Sequence, residues 1–139
     1  MFAKLVLIPP RFPIHEAPDD AAKKVIEDTL PIIHHGPAPF KWVEDDGTSL
    51  IGCYAPLSCT TGHWTQQFFE LAKLCYSPMG AKPRSRELAI LGLCSIVNAP
   101  YMVYCHRAIG TKLGLTAEQY DEGLAGQVPR DLNEEESMA

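Results

Sequence analysis

The stretch Pro83-Arg84-Ser85-Arg86-Glu87-Leu88-Ala89-Ile90-Leu91-Gly92-Leu93-Cys94-Ser95-Ile96-Val97-Asn98-Ala99-Pro100-Tyr101-Met102-Val103-Tyr104-Cys105-His106 decides the fold. Pro83 suits a helix N-terminus, because its fixed φ fits the first turn and its missing N–H is one the helix would leave unbonded there. Leu88 to Val97 is apolar on every side, which predicts a helix over 84–97 that is the most buried in the molecule. Asn98-Ala99-Pro100 breaks it. A second helix is expected over 101–113, closed by Gly114 in the left-handed position that ends many helices. Two consecutive buried helices make the expected fold class all-α.

Upstream, Thr60 or Thr61 can cap a helix through His63–Cys75, in which Trp64, Phe68, Leu71 and Cys75 recur at helical spacing and are expected to face the core. Pro18-Asp19-Asp20 opens an earlier helix, brought to a stop by Pro31 and Gly36-Pro37. By local chemistry alone, Phe40 to Gly47 reads as a strand running into an Asp-Gly turn. Downstream, Thr116-Ala117-Glu118-Gln119 is a capping box that starts a short helix fading at Gly123 and Gly126. Four prolines (Pro9, Pro10, Pro13 and Pro18) make residues 1–18 an extended arm, and residues 131–139 an acidic tail. One domain over 1–139 is expected.

Hydrophobic residues are 46% and charged residues 21% of the 139, an ordinary globular balance. With 12 basic against 17 acidic residues the net charge is −5, and no basic face advertises nucleic acid. No segment approaches the roughly 20 apolar residues of a membrane helix, and Met1 to Ile8 is too short for a signal-peptide core, so a cytoplasmic address is expected. The five cysteines form no C-x-x-C pair, which fits reduced thiols.

Two residues stand out chemically. Glu87 opens an apolar run and is either neutralised by Arg84 or Arg86 or presented to a pocket. His106 projects from a side shared with Met102, Ile109 and Leu113, either as a hydrogen-bonded core histidine or as a proton-transfer group. The pair His34-His35 lies in a Pro/Gly-flanked segment without metal-ligand spacing and is expected to face solvent, so no metal is assigned.

The run from Arg84 to Leu91, then Asn98 to His106, then Gly114-Leu115-Thr116 resembles the core signature of the carboxymuconolactone decarboxylase and alkylhydroperoxidase D-like proteins, including the 19-residue separation of Glu87 and His106. The match covers roughly residues 83–119. The resemblance implies an alkylhydroperoxidase D-like helical domain, for which loop or helix replaces the strand at 40–47. It also implies a trimer or hexamer of like chains, and chemistry without a cofactor. Ala99 and Met102 stand where peroxidase-type members carry their C-x-x-C, so the decarboxylase-like branch is the better match. In this expectation His106 and Glu87 move the proton, with Tyr101 or Tyr104 hydrogen-bonding to a developing enolate. Arg84, Arg86, Trp64 and Cys105 contact a small carboxylated or lactone-type substrate. The alternatives are a thiol-dependent peroxidase using Cys105, or a non-catalytic subunit of a hetero-oligomer. Family members usually continue with a further long helix past the Gly-Leu-Thr turn. Here its cover would come from another subunit, from the arm, or be lacking.

Overall fold

The computed structural model of the chain describes residues 19–139. The expected arm at 1–18 lies outside them. The described residues form seven α-helices and no strand, an all-α architecture: α1 (Asp20–Ile33), α2 (Tyr54–Ser58), α3 (Gly62–Tyr76), α4 (Pro83–Cys94), α5 (Pro100–Lys112), α6 (Ala117–Leu124) and α7 (Glu134–Ser137). None of these helices is long and apolar enough to cross a membrane.

Local chemistry sets most of the boundaries. The Asp19 carboxylate accepts from Ala22 N–H at 2.8 Å and caps α1. Pro31 does not stop this helix: it sits in the last turn, and the chain continues helical to Ile33. The stop falls at His35 and Gly36, whose φ values are 51° and 141°. Thr61 caps α3, Pro83 stands in the first turn of α4, and Thr116 and Gln119 form the expected capping box of α6. Gly114 has φ 81°, the left-handed conformation its position calls for. The 40–50 segment is a loop pinned by one isolated antiparallel bridge, Val43 to Leu50, around the Asp-Gly turn.

Two expectations about the core are overturned. In α3 the apolar stripe Trp64, Phe68, Leu71 and Cys75 is exposed, and the helix instead buries Thr65 and Phe69 against α1. The Thr65 hydroxyl can face inward because Thr60 Oγ1, at 2.7 Å, and the Leu57 carbonyl satisfy it. Gly62, meanwhile, lets the α3 backbone approach Ala21 closely. Nor is the central helix buried all round. It buries Glu87, Leu88, Leu91 and Cys94 beneath α5 and α6, but leaves Leu93 outside, and Ile96 beyond its end is 86% exposed.

The larger core joins α1, α2, α3 and α5 through Ile26, Leu30, Phe69, Cys105 and Ile109. A smaller one sets Leu88 and Leu91 of α4 against Leu115 and Tyr120. Gly110 permits the second, because a Cβ there would lie 2.4 Å from the Tyr120 hydroxyl, which donates to the His106 carbonyl. The acidic tail folds back. Leu132 packs on the smaller core and Glu136 of α7 accepts from Arg84 at 2.6 Å.

Candidate active site

Burying the front of α4 takes Glu87 out of water completely, at 0% exposure. An isolated carboxylate there would be costly, and two neighbours offset that cost. Arg86 Nε donates to Glu87 Oε1 at 3.3 Å, and its guanidinium lies 3.9 Å over the Tyr76 ring. On the other side, Glu87 Oε2 is 2.7 Å from His106 Nδ1. With a carboxylate as partner, the ring proton belongs on Nδ1, and Nε2 is left without a partner among the described residues. The side chain of His106 keeps 18% of its surface exposed. That surface lines a cavity of about 340 Å³, a volume within the range typical of small-molecule sites.

One wall of the cavity is α5, which contributes Tyr101, Cys105, His106 and Ile109. The facing wall is assembled from His34 at the end of α1, Phe40 and Gly52 of the following loop, and Tyr54 of α2. Tyr76 closes one side. Phe40 and Tyr54 stack with centroids 6.2 Å apart and planes within 10°, and Tyr54 meets Tyr101 edge-on. Gly52 holds this shape: its φ is 61°, and a Cβ there would fall 2.0 Å from Tyr101 ring atoms.

The expected site residues separate on this geometry. Glu87, His106, Tyr101 and Cys105 come together. Tyr101 does so without a proton to offer, since its hydroxyl already donates to the Lys41 carbonyl at 2.9 Å, and burial pushes the phenol further up. Tyr104 points away from the cavity and accepts from the Lys41 N–H at 2.9 Å. The two phenols thus clamp one loop residue. Arg84 is committed to Glu136 and to the Leu113 carbonyl, Arg86 stands behind Glu87, and Trp64 lies outside on α3, stacked on Phe68. None of these three lines the cavity, and no arginine among the described residues does.

Several lining residues lie outside the site expected from sequence, His34, Tyr54 and Cys53 among them. His34 was expected in solvent but continues the buried α1 series Ile26, Leu30 at four-residue spacing, and that spacing was the signal for it. Its ring lies edge-on to Phe40 at 5.3 Å, and burial, then the charge of Lys112, pull it down to about 4. Tyr54 carried no local signal. Cys53 joins Cys105 in the lining; burial pushes both thiols up, Cys105 to about 11, which keeps them protonated near neutral pH and weakens them as nucleophiles.

No protein-family model, no curated protein and no solved structure matches the chain.

Proposed function

We propose that the protein is a cofactor-independent acid–base enzyme that shifts a proton at carbon in a small lactone-type or carboxylated metabolite, as the resemblance to carboxymuconolactone decarboxylases implies. One observation carries this reading: an imidazole on a cavity wall, its Nδ1 held by a wholly buried carboxylate and its Nε2 left for a substrate. Nε2 removes a proton from the carbon next to a carbonyl, and the electron pair moves onto the carbonyl oxygen. The proton then returns at a different carbon. Glu87 holds the ring by Nδ1 while Nε2 gains and returns the proton. In the decarboxylating variant the electron pair left by CO2 takes its proton from the same nitrogen. A lining without arginine among the described residues favours isomerisation of an uncharged lactone over reaction of a free carboxylate.

The protonated thiols speak against the peroxidase alternative. The outward apolar side chains of α3, Trp64, Phe68, Leu71 and Leu74, support self-association in the manner the resemblance implies. Five unbridged cysteines support a reducing compartment such as the cytoplasm.

The test uses α-angelica lactone, an uncharged β,γ-unsaturated lactone, followed by NMR in D2O. Wild-type protein should accelerate both its isomerisation and deuterium uptake at carbon, and H106Q should not. Equal rates for the two proteins would contradict the reading.

A further inference from the structure

We propose that His34 is a second substrate-contacting residue, and that the two imidazoles together select an uncharged, flat, hydroxylated ring compound whose hydroxyl donates to His34 while its reacting carbon faces His106. The half of this statement that concerns the reacting carbon rests on the function proposed above; the half that concerns His34 and the substrate class does not.

The His34 ring is held by aromatic edges, from Phe40 at 5.3 Å and Tyr76 at 6.0 Å, and makes no hydrogen bond to any described residue. No buried side-chain nitrogen or oxygen among those residues lacks a partner, so the unbonded ring nitrogens of His34 are accessible, and His34 is one of the residues that line the cavity. The charged groups acting on the ring are Lys112, Glu87, His106 and Arg86, and all four act through space without an ion pair to it. Arg86 is already spent on Glu87 and on the Tyr76 ring. Burial keeps His34 neutral near pH 7, and a neutral imidazole has one bare nitrogen that accepts and one N–H that donates.

The remaining lining sets the class of ligand. Phe40, Tyr54, Tyr76 and Tyr101 supply ring faces and edges, and among the described residues no Lys, Arg, Asp or Glu lines the cavity. A carboxylate entering it would lose hydration with no cation to replace it. A flat neutral ring would stack, and a hydroxyl on it would find an acceptor at His34.

Affinities of 2-naphthol, naphthalene and 2-naphthoate for the purified protein, measured by NMR together with the imidazole ¹⁵N signals, test this directly. The expected order puts 2-naphthol about 3- to 10-fold tighter than naphthalene, the size of one neutral hydrogen bond. It puts 2-naphthoate roughly 100-fold or more below 2-naphthol, and 2-naphthol should shift the His34 ring signals. H34F should bring 2-naphthol down to the affinity of naphthalene while naphthalene still binds, which shows the variant is folded. H106Q should keep the preference for the hydroxyl. Tightest binding of 2-naphthoate, a hydroxyl preference that survives in H34F, or no binding of any probe would overturn the proposal. No turnover is read, so these failures are distinct from failure of the lactone assay, which bears on His106 alone.

Discussion

The two walls of the cavity are built in different ways. The α5 wall is a regular helix backed by α4, and its working residue is fixed by a buried carboxylate that is itself held by an arginine. The opposite wall is gathered from the last turn of α1, a loop, and the five-residue α2, and it is tied to α5 by Tyr101 and Tyr104 gripping Lys41. Groups that must be aimed belong on the rigid side, and groups that recognise can sit on the assembled one. In the proposed function, proton transfer falls to the first wall and selection to the second.

The largest expected effect tests that division. H106Q should lower the lactone isomerisation rate by about 10²–10⁴-fold, the usual worth of one general acid–base group, with an unchanged melting temperature. E87Q should cost less in rate if the carboxylate only orients the ring. H34F should weaken binding of 2-naphthol and leave the rate at saturating lactone within a few-fold of wild type. A collapse of that saturated rate in H34F would erase the distinction between the walls.

Stability should divide along the same line. Glu87→Ala leaves Arg86 and His106 without their shared acceptor in a buried setting, and denaturant unfolding should show a loss of about 3–5 kcal/mol. On the loop wall, Gly52→Ala adds a Cβ at positive φ against the Tyr101 ring and should cost about 1–3 kcal/mol while deforming the cavity. A larger loss at Gly52 than at Glu87 would mean that the assembled wall, not the helical one, anchors the site.

The smallest effect is in acid. His34 falls from 6.5 in the unfolded chain to about 4 when folded, so between these values the unfolded chain binds more protons. The neutral ring is therefore fully accommodated above pH 6.5, and stability declines as the pH falls toward 4. The decline due to His34 should be on the order of 1 kcal/mol once its partial exposure is discounted. H34F should flatten it, as seen in melting temperatures from pH 7 to 4.

The rigid wall was also the legible one. Pro83, the break at Asn98-Ala99-Pro100, Gly114 and the Thr116–Gln119 box each act within a turn of the chain, and all are found where local chemistry puts them. Helical spacing on α3 marked an apolar side correctly, but spacing cannot say what that side meets. Trp64 and Phe68 point outward because α1 packs on Thr65 and Phe69 instead. Arg84 was open to a pocket role only until Glu136, 52 residues away, took it. The assembled wall depends on such long-range events: His34 needed the α1 stripe to run one position past the helix end, and Tyr54 needed a loop to return.

The central claim is that Glu87 fixes the His106 ring so that Nε2 faces the cavity, and long-range ¹H–¹⁵N correlation of the histidine rings at neutral pH tests it most directly. His106 should carry its proton on Nδ1, this nitrogen should change in E87Q, and of its two ring nitrogens Nε2 alone should respond when a ligand enters. A His106 protonated on Nε2 and bare at Nδ1, or one whose signals are the same in E87Q, would contradict it.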